Sequence, residues 1–71
     1  MRLSARNQLP GVVKSVRLGN VMAEVVVDVG GNEVVAVITR ESAETLKLEQ
    51  GRRVTVVIKS TEVMLATDDG A

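Results

Sequence analysis

Residues 21–38 have the sequence VMAEVVVDVGGNEVVAVI, which predicts a β-hairpin. Every second residue over 21–29 is apolar, as expected for a strand with one buried face. Gly30-Gly31-Asn32 is a strong hairpin turn, because glycine adopts the positive φ angles that tight turns require. The strand predicted over 33–38 is apolar on both faces. The hairpin therefore indicates a β protein whose third strand needs burial on two sides.

Three more strands and one short helix are predicted around this hairpin. The strands cover 11–18, 54–59 and 63–66, and the helix covers 40–46. Thr39 is a good helix N-cap, and Ala43, Leu46 and Leu48 are expected to face the core. The order of elements matches an all-β, five-stranded barrel of the oligonucleotide/oligosaccharide-binding (OB) type, with one short helix between strands 3 and 4. We predict one domain over 1–71, with a tail over 67–71 that frays.

Two-sided apolar strands predict that the chain associates with copies of itself. Val35 and Val37 alternate with apolar neighbours, and Val57 and Met64 add to the same outward set. Each such side chain left in water loses a burial free energy of about 1.5–3 kcal/mol. For several side chains the loss rivals the whole free energy of unfolding of a small domain, about 5–15 kcal/mol. The alternative is that the helix covers part of this set, but a helix of two turns covers little area.

Composition disfavours catalysis and nucleic-acid binding. The chain has neither histidine nor cysteine, the commonest general base and the thiolate nucleophile. Lys59 and Ser60 are adjacent, and neighbours on a strand point to opposite faces, so they form a poor catalytic pair. The formal net charge is zero and aromatic residues are absent, whereas nucleic-acid binders use positive charge and aromatic stacking. We predict a protein that is not an enzyme and holds no metal cation. No signal peptide or membrane span is visible, so the predicted location is the cytoplasm.

Two polar segments have the chemistry of an anion site. Residues 4–8 (SARNQ) and 59–61 (KST) each combine one cation with at least one hydroxyl group, next to strand ends. Such positions also expose backbone N–H groups, which bind anions together with cationic side chains. The alternative is a solvated arm and an ordinary turn, which composition alone favours.

Four motifs resemble the molybdate-binding Mop domain, the molbindin family, which is TOBE-like. They are SARNQLxG over 4–11, AEV over 23–25, ITRES over 38–42 and IKSTEVM over 58–64. The four lie in the family's order and span nearly the whole chain, which makes the resemblance specific. It implies an OB-like barrel that binds molybdate, and often tungstate, for molybdenum storage or homeostasis in the cytoplasm. It also implies a homo-oligomer of six chains with no organic cofactor. The composition and the lack of a membrane span predict no nucleic-acid or membrane partner.

The resemblance also implies which residues bind the anion at subunit interfaces. The implied ligands are Ser4, Ala5 through its backbone N–H, Arg6, Thr39, Lys59 and Ser60. Ser42 matches a neighbouring position, although capping by Thr39 explains it equally well. A second anion site is implied at Gly19, Asn20 and Val21.

These implications complete the hypothesis for the assembly. Val26, Val35 and Val37 are expected to join subunits, so that Ser4–Arg6 of one chain meets Lys59–Ser60 of another. Molybdate is a tetrahedral dianion with four acceptor oxygens, and a pocket of donors would leave the O–H of a protonated oxyanion unpaired, at a cost of about 1–3 kcal/mol. Two alternatives remain: a structural or regulatory oligomerisation module with no functional anion site, and a nucleic-acid-binding barrel.

Overall fold

The computed structural model describes residues 3–69. Its elements are β1 (Asn7–Leu18), β2 (Met22–Val29), β3 (Asn32–Thr39), α1 (Arg40–Thr45), β4 (Arg53–Ile58) and a 3₁₀ turn, η1 (Ser60–Glu62). The strands form one antiparallel sheet in the order β3-β2-β1-β4. The core is a valine cluster of Val13, Val25 and Val27, with partly buried apolar side chains packed against it.

The predicted hairpin is confirmed. Val29 pairs with Asn32, and the two glycines between them have φ angles of 57° and 90°. The Gly31 N–H donates to Asp28 Oδ1 at 3.0 Å, which ties the turn to the end of β2. Of the β2 residues predicted to face the core, Ala23, Val25 and Val27 are buried. Val21 lies outside the strand and is 71% exposed, so the predicted strand begins one residue too early.

A β-bulge in β1 changes the faces that simple alternation predicts. Val13 pairs with Val27 and Ser15 pairs with the next residue along, Val26, so Lys14 is an extra residue in the ladder. Strict alternation would put Val13 and Val16 on opposite faces. The bulge instead lets both valines contribute to the core, where Val13 is 1% exposed and Val16 packs against the cluster.

Strand β1 begins earlier than predicted, at Asn7 instead of Gly11. The added residues pair with β4 from Asn7↔Ile58 onward, whereas the ladder to β2 begins at Val12. Pro10 is therefore inside β1, not at its start. It is tolerated there because β4 lies on one side only, and the other side needs no donor.

Gly11 lies where β1 crosses closely over β2. A Cβ at this position would lie 2.6 Å from Val27 Cγ1 and 2.8 Å from the Asp28 carbonyl oxygen. We expect Gly11→Ala to lower the free energy of unfolding by about 1–3 kcal/mol, because overpacking forces the backbone to shift. Thermal denaturation would measure it, with Ser15→Ala on the exposed side of the same strand as the control. Equal melting temperatures for Gly11→Ala and the parent would contradict the close approach.

The short helix is confirmed, with one error about its inward face. Thr39 is the N-cap, and its side chain accepts a hydrogen bond from the Ser42 N–H at 3.0 Å. Ala43 is buried and Leu48 packs against the core, as predicted. Leu46 was predicted to face the core but is 55% exposed, because α1 has only six residues and Leu46 is its C-cap.

The fifth predicted strand is not formed, and the described sheet is not a closed barrel. Residues 63–66 are outside any strand, with Met64 91% and Leu65 94% exposed. The 3₁₀ turn η1 follows the end of β4, and within residues 3–69 the segment after it has no ladder partner. Over the same residues, β3 and β4 are the two open edges. Of the predicted frayed tail, residues 70 and 71 lie outside the described residues.

The outer face of the sheet carries exposed apolar side chains. Val35 is 57% exposed, Val37 62% and Val57 40%, while Val26 is half-buried between its neighbours. Helix α1 contacts β2 and β3 but leaves Val35 and Val37 uncovered. The alternative that the helix covers these two valines is therefore wrong. Neither helical segment of the described chain has the length and apolar character of a membrane span.

Candidate functional site

The β1–β4 ladder brings the two candidate anion-binding segments together. The 4–6 arm precedes Asn7, and Lys59 follows Ile58, the ladder partner of Asn7. Because the strands are antiparallel, the residue before the start of one lies beside the residue after the end of the other. Two segments more than fifty positions apart in sequence thus meet at one end of the ladder.

A small open hollow lies between these two segments. It has a volume of about 150 Å³, and its lining residues are Ser4, Ala5, Lys59, Ser60 and Thr61. Within residues 3–69 the lining supplies one ammonium group and three hydroxyl groups, all on exposed residues. Such a set can compensate negative charge and donate hydrogen bonds to several oxygens. Thr61 is an additional lining residue beyond the predicted ligands, and its place in the Lys-Ser-Thr segment is the signal that could have identified it.

Two side-chain amides hold the arm beside the hollow. Asn7 Nδ2 donates to the Ile58 carbonyl oxygen at 3.2 Å, directly before Lys59. Gln8 Nε2 donates to the Ala5 carbonyl oxygen at 2.9 Å, folding the arm back over the start of β1. The Lys59 carbonyl oxygen accepts from the Glu62 N–H at 2.9 Å, which closes η1 on the other side.

Arg6 is adjacent to the hollow in sequence but is not part of its lining among residues 3–69. Its side chain is exposed. Within the described chain, the structure therefore gives the hollow the Lys59 cation and leaves Arg6 at its margin.

Thr39 lies in a different hollow, of about 840 Å³, between the start of β2 and helix α1. Asn20 and Val21 of the predicted second site line the same hollow, whereas Gly19 contributes its carbonyl oxygen to Arg40 Nη1 at 3.3 Å. Glu41 and Glu44 also line it, and their carboxylates oppose an anion. Arg40 Nε lies 3.5 Å from the Glu44 carboxylate.

The Thr39 hydroxyl is committed to the helix cap in this structure. Its oxygen lies 2.7 Å from Ser42 Oγ and accepts from the Ser42 N–H. Within one chain Thr39 and Lys59 lie at opposite edges of the sheet, since Thr39 ends β3 and Lys59 follows β4. Their predicted grouping across a subunit interface stays a prediction.

We expect Thr39→Ala to lower the free energy of unfolding by about 1 kcal/mol, since the helix loses its cap. Thr39→Ser keeps the hydroxyl and should restore most of the melting temperature. Both would be measured by thermal denaturation without ligand. A parent-like melting temperature for Thr39→Ala would show that the cap contributes nothing to stability.

The two main segments lie beside each other already within a single chain. Ser4 and Ala5 meet Lys59 and Ser60 within one chain, through the β1–β4 ladder. The expectation that Ser4–Arg6 of one chain meets Lys59–Ser60 of another stays a prediction.

Comparison with known proteins identifies the family of the chain. The TOBE domain family matches residues 3–65. This chain belongs to the TOBE domain family. Molybdenum-pterin-binding protein 3 of Clostridium pasteurianum is 48% identical to this TOBE domain over 66 residues, which are 92% of this chain and 97% of the relative. The predicted resemblance to the molbindin (Mop) family is thereby confirmed.

Solved structures support the same family assignment for this TOBE domain. A molybdate-binding protein from Sporomusa ovata superposes with a TM-score of 0.90 at 42% identity, covering 94% of this chain and all of that one. The cytoplasmic molybdate-binding protein ModG, solved with molybdate bound, superposes with a TM-score of 0.80 at 37% identity, covering 92% of this chain and 53% of ModG.

Proposed function

We propose that this TOBE domain binds molybdate in the hollow between the arm and the 59–61 segment. The observation that carries the proposal is the meeting of Lys59 and three hydroxyl-bearing residues at one end of the β1–β4 ladder. The relatives support the ligand, since the Sporomusa ovata protein and ModG are both described as molybdate-binding.

The chemistry of the lining suits a tetrahedral dianion. Lys59 provides a compact positive charge, and each hydroxyl of Ser4, Ser60 and Thr61 can turn its proton toward an oxyanion oxygen. Tungstate has the same shape and charge as molybdate, so we expect it to bind as well. A smaller tetrahedral anion such as sulfate would be discriminated by size alone.

The site becomes complete on assembly of several chains. The hollow is open, and two of the predicted ligands, Arg6 and Thr39, lie outside it in the single chain. We propose a homo-oligomer of six chains in which the exposed Val35–Val37 face is covered and these residues approach an anion from neighbouring subunits. The second site at Gly19, Asn20 and Val21 is proposed at the same kind of interface. Arg40 lines this hollow but is paired with Glu44, so a neighbour would have to add further positive charge.

The biological role proposed is molybdenum storage and homeostasis in the cytoplasm, by a binding protein that is not an enzyme. The description of ModG as cytoplasmic supports the location. One alternative has a specific observation in its favour: the exposed apolar face would also suit an oligomerisation module without an anion site. Elemental analysis distinguishes them, since molybdenum that copurifies in stoichiometric amounts supports storage.

Molybdate is expected to raise the melting temperature of the protein, because a ligand that binds only the folded state stabilises it by mass action. At a ligand concentration of one hundred times Kd the stabilisation is about 2.7 kcal/mol. Titration calorimetry gives the affinity and stoichiometry directly, with tungstate and sulfate titrated in parallel. Absence of heat with both molybdate and tungstate, together with an unchanged melting temperature, would refute the proposed function.

A further inference from the structure

Asn7 forms a contact that the β-ladder alone does not require. Its backbone pairs with Ile58 in the β1–β4 ladder, and its side-chain amide also donates to the Ile58 carbonyl oxygen at 3.2 Å. That carbonyl belongs to the peptide unit whose nitrogen is Lys59. The half-buried Asn7 side chain therefore fixes the last peptide before the lysine that lines the hollow.

Gln8 fixes a peptide unit in the other wall of the hollow, at Ala5. Its side-chain amide donates to the Ala5 carbonyl oxygen at 2.9 Å, three residues earlier in the chain. A carbonyl oxygen facing an oxyanion would repel it, so holding this oxygen on Gln8 removes an unfavourable acceptor. In a trans peptide the C=O and the following N–H point in opposite directions, so this bond also aims the Arg6 N–H away from Gln8.

We propose that Asn7 and Gln8 are positioning residues of the oxyanion site, an inference that rests on the proposed function. Asn7 sets the backbone at Lys59, and Gln8 sets the peptide between Ala5 and Arg6. Together they hold the two walls of the hollow in one geometry before the anion arrives. Their contribution is to affinity, through preorganisation, because a site that is already ordered has less entropy to lose on binding.

The location of both bonds separates this role from a contribution to folding. The Gln8 bond is exposed and links residues three apart, so it adds little to the free energy of unfolding. The Asn7 bond lies at the end of the ladder, away from the buried cluster of Val13, Val25 and Val27. Loss of either amide should leave the sheet folded while the arm becomes mobile.

The experiment compares Asn7→Leu and Gln8→Met, which keep side-chain size and remove the donor, with the parent. Molybdate affinity is measured by titration calorimetry, the unliganded melting temperature by thermal denaturation, and the order of the Ala5 and Arg6 amides by ¹⁵N relaxation without ligand. We expect each variant to weaken binding by about fivefold to tenfold, as for loss of one hydrogen bond. We also expect lower order at these amides in Gln8→Met, with little change in melting temperature.

Gln50→Met is the matched control, since Gln50 is exposed near the opposite end of β4. It should leave affinity and arm order at parent values. Parent-like affinity in both positioning variants would overturn the inference, even if their arms were mobile. Absence of molybdate binding by the parent would instead refute the proposed function, and the two failures are distinguished by the parent titration alone.

Discussion

Lys59→Ala is expected to weaken molybdate binding by about a hundredfold. Among residues 3–69, Lys59 is the cation that lines the hollow. A charge-assisted hydrogen bond contributes about 1.5–3 kcal/mol, and about 1.4 kcal/mol equals a tenfold change in Kd. The stem of Lys59 packs outside the valine core, so the substitution should leave the melting temperature of the unliganded protein nearly unchanged. Titration calorimetry with molybdate measures the effect.

Lys14→Ala is the matched control, because it removes the same charge at a different place. Lys14 forms an exposed ion pair with Glu33. The hydrogen bond that Lys14 Nζ donates to Glu33 and the charge of that carboxylate raise the pKa of Lys14 above its ordinary value. Exposed pairs of this kind contribute little to stability, so this variant should fold normally and bind molybdate like the parent. Equal loss of affinity in both lysine variants would mean that net charge, not the hollow, attracts the anion.

The parts of the fold that local sequence determines were predictable. The hairpin depends on two adjacent glycines that adopt positive φ, and the helix start depends on a threonine that caps the N–H three residues later. Both are interactions within four residues. The inward set of β2 followed from alternation because nothing interrupts that strand.

The features that the sequence analysis predicted wrongly depend on contacts between residues far apart in the chain. The bulge at Lys14 is set by how β1 crosses β2, and the early start of β1 at Asn7 is stabilised by pairing with Ile58. Residues 63–66 have the composition of a strand, but within the described chain no neighbouring strand edge meets them. Composition cannot reveal whether a partner is present, so strand propensity alone predicts too much here.

The candidate site was predictable in its chemistry but not in its grouping. Residue types alone pointed to the 4–8 and 59–61 segments, and the family resemblance singled out the ligands within them. The ladder register places Ser4 and Lys59 at one hollow of the single chain, whereas Thr39 lines the hollow beside helix α1. Register follows from long-range strand pairing, which single residues do not encode.

Replacing Val35 and Val37 together by aspartate is expected to dissociate the oligomer and abolish molybdate binding. Both side chains are more than half exposed in the single chain, so aspartate there remains hydrated and the sheet stays folded. At an interface the same carboxylates would lose water without gaining partners, which costs several kcal/mol per ion. Solution mass by sedimentation or light scattering should fall to the 7.6 kDa of one chain. Titration calorimetry with molybdate should then show no heat.

The reason for expecting loss of binding is that the hollow of one chain is small and open. It lacks Arg6 and Thr39, the two remaining predicted ligands, and its lining residues are largely in contact with water. Water in the open hollow keeps the dielectric constant high, so the attraction between Lys59 and an anion is weak. A second chain that covers the hollow would exclude water and strengthen every electrostatic interaction inside it. Gln50→Asp introduces a carboxylate on an exposed residue in the turn before β4 and should leave both mass and affinity unchanged. A proven monomer of the double variant that still binds molybdate with the parent's Kd would show that Ser4, Lys59, Ser60 and Thr61 suffice, and that the apolar face serves assembly alone.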